Sequence, residues 1–257
     1  VVWTAHNLYP HNRRRQALDH EGRLALCRIC TAIIAHCSVA ATAINETFGR
    51  SDRLFVVPHG HFIDVYPGTV SRDDARAQLG VPADAFAYGF FGSLQPYKGI
   101  EPLFDAFAGL PTDDAWLLIS GGGKDAAYLD SLRDRAATMP RVVLRTYPRA
   151  PSEDVTLIMQ AADVVTLPFV ATMTSGTLIL ALSWGRPVIA PALGCLPETV
   201  SPDAGILYDP AAPDALSEAL RAIRERDLAE AGRAALACAR RFDWDWIADR
   251  TLEAYRA

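Results

Sequence analysis

The chain has 257 residues, half of them hydrophobic and 21% charged, with a formal net charge of -5. That composition excludes a disordered chain and supplies enough apolar surface for one large core or two smaller ones. It also excludes a global basic field able to hold nucleic acid, and no apolar run reaches the ~18 residues a membrane span needs. The one dense basic run, Arg13, Arg14 and Arg15, reads as a solvated loop, or as a point of peripheral contact with anionic lipid or an acidic substrate.

The first elements predicted are a strand "VVWTA", a long helical region, a strand "TAIIAHCS", a helix "AATAINETF" and a strand "LFVVPHG". The stretch "VYPGTVSRDDA" then combines Pro, Gly, Ser and charge as a linker does, and Ser71 before Asp73 and Asp74 suits the start of a short helix. Strands follow at "FAYGFFG", "AWLLISG", "RVVLRT", "DVVTLP", "RPVIAP" and "AGILYD". Between them lie helices at "GIEPLFDAFAGL", "DAAYLDSLRDRAATM", "SEDVTLIMQAA" and "GTLILALSW", and a short one after Leu196. Continuous apolar strands alternating with helices imply a parallel, doubly wound sheet buried on both faces. Beyond residue 210 the chain reads as helical. Trp244, Ile247, Thr251, Leu252 and Tyr255 form a stripe on the last helix that is expected to be buried.

Five cysteines, Cys27, Cys30, Cys37, Cys195 and Cys238, are odd in number and scattered. They suggest a reducing compartment and no disulfide framework. Cys27, Cys30, His36 and Cys37 invite a zinc reading, but a structural site needs a closed four-ligand shell. Here the first two thiols lie in the apolar run "RLALCRICTAIIAHC", read as helical, so buried thiols are expected and no metal. With no signal peptide visible, the localisation expected is cytoplasmic. The chain begins "VVWTAH" without Met, as a piece of a longer protein does; a complete N-terminal domain would need on the order of 100 more residues.

In a parallel sheet a ligand is expected where strands end and helices begin. "FFGSLQPYKG" follows the first strand of the complete domain: Gly92 permits close approach, Lys98 is its one cation and Gly99 opens the next helix. A lysine beside a helix N-terminus suits a phosphate. Gly121 to Gly123 in "SGGGKDAAY" could form an anion nest, or with Lys124 a capping turn; neither a P-loop nor a GxGxxG is present. The loop Thr174, Ser175, Gly176, Thr177 opens an apolar helix with several hydroxyls and no charge. One hydroxyl would be a normal cap. The set as a whole suits a phosphate cradled by backbone amides and hydroxyls. Two such helix starts facing one crevice suit a diphosphate.

In this order and spacing, "VVPHGHFIDVYP", "FFGSLQPYKGIEPLFDAFAGL", "LLISGGG", "AADVVTLPF", "LALSWGRPVIAPALGCLPE", "GILYDP" and "WDWIA…AY" resemble the donor-binding half of GT-B glycosyltransferases. The nearest group is the retaining, nucleotide-sugar-dependent (family 4-like) one, and the match covers nearly the whole chain. The resemblance implies an α/β fold: a Rossmann-like doubly wound parallel sheet, with the remnant of a second Rossmann-like domain. It divides the chain into residues 1–66, the end of an acceptor-binding domain; 67–242, the nucleotide-sugar-binding domain; and 243–257, a helix crossing back. Gly92 and Lys98 match the family's Gly and Lys at the donor phosphates, with Ser93 where the family usually has Arg. The family's two glutamates, one toward the sugar and one toward the ribose, fall on Thr172 and Leu180. "TSGT" instead resembles a variant whose loop contacts phosphate. His6 matches a family His near the acceptor cleft and is the expected catalytic residue. His59 stands where the family has Asn, as a ligand or hinge contact. Glu198 matches a family Glu and is equally a helix-start residue.

The function so implied is sugar transfer from a nucleotide-diphosphate sugar, the donor substrate, to a carbohydrate or lipid-linked acceptor, in cell-envelope or exopolysaccharide synthesis. No further cofactor, metal or nucleic acid is expected. Localisation would be cytoplasmic or peripheral to the inner face of the membrane. The lost carboxylates leave open a non-catalytic nucleotide-sugar-binding module or pseudo-enzyme fragment.

Overall fold

Strand pairing divides the chain into two parallel sheets. The computed structural model describes residues 1–10, 15–66 and 70–257. Arg13 and Arg14 of the basic run lie outside the described residues, as do 67–69 of the expected linker. The first sheet holds β1 (Val2–Ala5), β2 (Ala32–Ala35) and β3 (Leu54–Val56), in that order and all parallel. Helices α1 (Gln16–Ile29) and α2 (Ser38–Phe48) connect them. The apolar run around Cys27 and Cys30 is therefore not one helix. Helix α1 stops at Ile29, Cys30 is extended, and the β-branched Ile33 and Ile34 enter β2. Cys27 and Cys30 are free, buried thiols packed with Ala5, Ile33, Ile44 and Phe48.

The second sheet has six strands: β4 (Phe86–Ser93), β5 (Ala115–Gly122), β6 (Val142–Tyr147), β7 (Val164–Thr166), β8 (Val188–Pro191) and β9 (Gly205–Tyr208). Their order is β6-β5-β4-β7-β8-β9, all parallel. Helix α3 (Arg72–Leu79), capped by the Ser71 hydroxyl, precedes it. Helices α4 (Ile100–Ala108), α5 (Ala126–Ala137), α6 (Ser152–Ala161), α7 (Gly176–Ser183) and α8 (Leu196–Thr199) alternate with the strands. The strands are apolar on both faces because helices cover both. Phe90, Leu117, Ile119, Val165 and Ile189 are wholly buried in the larger core. The chain leaves β4 toward β5 and β6, then returns to lay β7 on the other side of β4. The loops after β4 and β7 therefore part, and a crevice opens at their carboxyl ends.

An ion pair ties α3 beneath this sheet. Arg76 is 1% exposed and donates to the carbonyls of Ala161, Ala83 and Ala85 and to Asp163, 2.9 Å away. Asp163 also accepts from the Ala87 amide and from Arg72. Every strong donor of this buried guanidinium meets an acceptor, which is the condition for tolerating its burial.

After β9 come α9 (Ala215–Ala222), α10 (Leu228–Arg240) and α11 (Trp244–Arg256). Helix α11 packs on β2 and β3. Ile247 and Ala254 join Ile34, Val57, Ile179 and Phe242 in a core shared by the two units. The expected aromatic stripe is only partly right. Trp244 lies against Gly60 and donates to the His61 carbonyl at 2.9 Å, yet stays half exposed; Leu252 and Tyr255 are exposed. The buried line runs Ile247, Thr251, Ala254, at helical spacing, and Leu252 and Tyr255 fall beside it.

The expectation of no disulfide is overturned. Cys37, the first residue before α2, is bonded to Cys195, the first before α8, across 158 residues. Next to it, both carboxylate oxygens of Glu198 accept from the Ser38 and Val39 amides, at 3.0 and 2.9 Å. Burial pushes the Glu198 carboxyl up, but these two amides outweigh it and hold it below the usual range. The disulfide and this cap join the two units at one seam. Such a bond persists in an oxidising environment, and in a reducing one the same residues stand as adjacent thiols.

Two outcomes are expected. Cys195→Ser, or reductant, should lower unfolding free energy by roughly 2–5 kcal/mol, given the long loop closed, and thiol titration should find two more free thiols after reduction and one more in Cys195→Ser. Equal melting with and without reductant would show that the bond contributes nothing. Asp163→Ala should cost about 3–5 kcal/mol in a urea titration, because Arg76 is left buried without its carboxylate. Asp163→Asn, which still accepts from Ala87, should cost less.

Candidate functional site

The crevice is set by one close approach. Gly99 has φ +72, and an added Cβ would stand 1.9 Å from the Pro168 carbonyl oxygen. Only glycine allows the backbone this conformation and this proximity. The turn Pro96–Lys98 before it is held by the Val170 amide donating to the Tyr97 carbonyl at 2.9 Å. The loop after β4 is thereby docked on the loop after β7.

This docking places Lys98. Its Nζ lies 4.1 Å from the centre of the Phe169 ring and 5.2 Å from that of Tyr97. No hydrogen bond or ion pair holds it among the described residues. Burial against these aromatics pushes the ammonium down to about 8. A half-buried cation with only aromatic faces for company favours an anion.

Gly92 and Ser93 end β4. A Cβ on Gly92 would sit 3.2 Å from the Thr177 hydroxyl, so the β4 loop and the start of α7 face each other. The hydroxyls of the 172–177 segment divide by role. Ser175, 6% exposed, caps α7 by accepting from the Leu178 amide at 3.1 Å. Thr172 donates to the Thr174 carbonyl at 2.9 Å. The Thr174 and Thr177 hydroxyls have no such partner among the described residues. The Gly176 and Thr177 amides lie in the first turn, where no intrahelical acceptor exists. Leu180, where the family has Glu, is buried in the core.

A cavity of about 1000 Å³ opens at the carboxyl ends of β4, β5 and β6, lined by Gly92, Gln95, Lys124, Tyr128, Pro148 and Arg149 among others. Its lining does not include Lys98 or the start of α7. Gly121 and Gly122 belong to β5, and a Cβ on Gly121 would meet the Gly92 carbonyl at 2.2 Å. These glycines serve close strand packing, and Lys124 is exposed on the cavity rim.

On the facing side, His6 follows β1, His36 follows β2 and His59 lies three residues beyond β3. His36 Nδ1 is 2.8 Å from the Val57 carbonyl oxygen, and its Nε2 is 2.9 Å from His6 Nδ1. His59 donates from Nδ1 to the Gly60 carbonyl at 2.7 Å. A Cβ on Gly176 would lie 3.8 Å from His59 Nε2. The structure thus brings His59 to the start of α7 and links His6 to His36. It does not bring Glu198 into the crevice, since that carboxylate caps α2. His36 carried no role in the sequence beyond the zinc reading. Its placement directly after a strand, as with His6, was the available signal.

Among the described residues no group of His, Cys, Asp and Glu could hold a metal ion, and no helix is long and apolar enough to cross a membrane. A family profile described as "Glycosyl transferases group 1" matches residues 85–226. D-inositol 3-phosphate glycosyltransferase of Segniliparus rotundus is 30% identical over 88% of this chain and 52% of its own length. The same-named protein of Saccharomonospora viridis is 34% identical over 72% of this chain and 46% of its own. The chain thus spans about half the length of these curated relatives. Anabaena Alr3699/HepE, solved with UDP and glucose, superposes with a TM-score of 0.86 at 25% identity, covering 99% of this chain and 71% of that one. Sucrose-phosphate synthase of Thermosynechococcus elongatus gives 0.83 at 25% identity, over 99% and 67%. The two parallel Rossmann-like sheets are those of the GT-B fold, and with more than half its length matched by the family profile, this chain belongs to the group 1 glycosyl transferases.

Proposed function

We propose that this chain is the donor-binding part of an enzyme that transfers a sugar from a nucleoside diphosphate sugar to a hydroxyl acceptor. The reading is supported by Lys98, which meets only aromatic rings in the loop after β4, and by the open first turn of α7 after β7, β4 and β7 being the strands at which the order reverses. The diphosphate would lie over Gly92 and Ser93, between Lys98 and the Gly176 and Thr177 amides. Its nucleoside would extend into the cavity beside Tyr128, Pro148 and Arg149. The sugar would then point at His59 and His6. HepE was solved with UDP, so a uridine donor is the first to test. Sugar transfer asks for little covalent chemistry from the protein. Lys98 and the helix amides would stabilise the charge growing on the leaving diphosphate. The acceptor would be a carbohydrate or lipid-linked hydroxyl, in polysaccharide synthesis, at the cytoplasmic side or on a membrane surface through the basic run.

A second reading, a nucleotide-sugar-binding module without turnover, is favoured by Thr172 and Leu180 standing where the family has carboxylates. Calorimetry with UDP, GDP and uridine, followed by product detection from UDP-sugars, separates the two. Diphosphate binding without release of sugar would leave only the second. No preference for UDP or GDP over uridine would remove both.

Lys98→Ala should weaken diphosphate binding by about 1.5–3 kcal/mol, the range for hydrogen bonds to charged groups. The pH dependence has a definite sign. Free Lys98 titrates at about 8, and a bound diphosphate raises that value. Affinity is therefore full below pH 8 and falls as pH rises through and above it. Lys98→Ala should abolish this slope; a slope retained in the variant would assign it to another group.

Ser175→Ala should cost ~1 kcal/mol of stability, the value of a cap, with diphosphate affinity intact. Thr177→Val should leave stability nearly unchanged and cost about 0.5–1.5 kcal/mol of affinity. Melting and calorimetry on the same two proteins check both, and the opposite pattern would reverse the roles given to the two hydroxyls.

A further inference from the structure

A second cavity, of about 520 Å³, opens beside Phe169 and Tyr208, on the β7 and β9 side of the large sheet. Its volume falls within the ~300–1,000 Å³ usual for small-molecule sites. It is built from the first turns of α4, the segment after β7, and the chain that runs from the end of β9 into α9. It shares no lining residue with the larger cavity. Phe169, whose ring carries Lys98, is part of its wall.

The lining joins buried carbon to unused polar groups. Phe169 is 1% exposed, whereas Val170 beside it is left 62% exposed. Tyr208 is half-buried, and its hydroxyl has no hydrogen-bond partner among the described residues. Burial alone pushes that hydroxyl's pKa up. A hydroxyl already stripped of much of its water, yet unpaired, gains a hydrogen bond from a ligand at little further cost. Asp214 stands before α9 with φ +56, a conformation Asp adopts more readily than most residues. Its carboxylate caps no amide of α9 and pairs with no cation among the described residues. The first hydrogen bond of α9 runs from the Glu218 amide to the Asp214 carbonyl, so the amides of Ala215, Leu216 and Ser217 have no intrahelical acceptor. Asp105 is already held by Arg135, and neither Lys nor Arg lines the cavity.

We propose that this cavity is a saccharide site, separate from the donor crevice, that takes an uncharged sugar ring. A sugar has hydroxyls that both donate and accept around its edge, and C–H bonds on its faces. Asp214 and the Tyr208 and Ser217 hydroxyls accept, and the first-turn amides of α9 donate. Phe169, Val170 and Tyr208 supply carbon surface for the C–H faces. An anion would meet the Asp214 carboxylate with no cation to offset it, so the site does not suit the diphosphate of the donor. A cation would leave the free amides unpaired. Binding here does not depend on the transferase reading, but its use rests on it. An acceptor with several sugar units would be held by one of them, which raises the local concentration of the others at the crevice.

The test titrates the full chain, nitrogen-15-labelled and assigned, with the methyl pyranosides of glucose, galactose, mannose and N-acetylglucosamine. Concentrations up to roughly 50 mM reveal a millimolar Kd. At least one glycoside should bind and shift the amide signals of residues 214–217, and saturating UDP should leave its affinity unchanged. Tyr208→Phe should weaken it about threefold to tenfold, one hydrogen bond's worth. Ala212→Trp, which brings a large side chain into the cavity from an exposed position, should abolish binding. Both variants should bind UDP as the wild type does. No shift with any of these glycosides, displacement by UDP, or unchanged affinity in the two variants overturns the proposal. So does tighter binding of glucose 6-phosphate or of choline than of the neutral glycoside, a comparison that needs no variant to fold. A wild type that binds no UDP or GDP counts against the donor reading, while the shifts at 214–217 still decide this site.

Discussion

The contact between the Gly99 backbone and the Pro168 carbonyl is the constraint on which the rest of the crevice depends. The loops after β4 and β7 diverge by topology, and at this one point they must touch. If a side chain intervened, the turn carrying Lys98 would lift from Phe169, and Gly92 would lose its register with Thr177. The contact costs conformational freedom in the unfolded chain, as glycine does everywhere. It seats the loop that carries Lys98 on the loop that leads to α7, with no ligand needed to bring the two together. Such preorganisation lets binding free energy appear as affinity rather than be consumed in ordering loops.

Two of the partly or wholly buried cations of the large unit make an instructive contrast. Arg76 is enclosed and saturated by backbone carbonyls and a carboxylate. It has nothing left to offer a ligand, and its role is to seat α3. Lys98 is less enclosed and meets only aromatic rings. Its dehydration is uncompensated in the free protein, and an anion is the species that would compensate it. Satisfaction of the charge, rather than its burial, separates Arg76 from Lys98, the cation proposed to meet an anion.

Much of the architecture was legible because it is local. Continuous apolar strands, Gly or Ser at helix starts and short loops mark nearly every element of the large sheet in chain order. The Gly92–Gly99 loop was legible for the same reason: a lone lysine and a helix start share eight residues. What escaped the sequence is what the fold brings from afar. Glu198 reads as a residue of its own short helix, yet it caps a helix 160 residues away. His36 meets His6 only when β1 and β2 lie side by side. In the hydroxyl loop, composition could not say which oxygen is consumed by capping. That depends on Ser175 being the buried one. The terminal stripe held at Ile247 and Thr251 and failed toward its end: Ala254, too small to stand out in the sequence, is on the buried line, and Leu252 and Tyr255 are not.

The bond between Cys37 and Cys195 changes the topology of the chain, beyond adding to its stability. It closes a ring that contains α2, β3, the whole run from α3 to β8, and the link between the two units. Outside the ring hang two tails. One carries β1, α1 and β2, with His6 and His36; the other carries β9 and the last helices, ending in α11. Helix α11 folds back onto β2, so the two tails meet across the ring and share one apolar core. A single cut of the backbone anywhere in the ring leaves one covalent molecule, with both tails attached and the crevice still bounded on both sides. Only a cut together with reduction releases the halves. The seam between the two units is thus fastened at two places, one covalent and one hydrophobic.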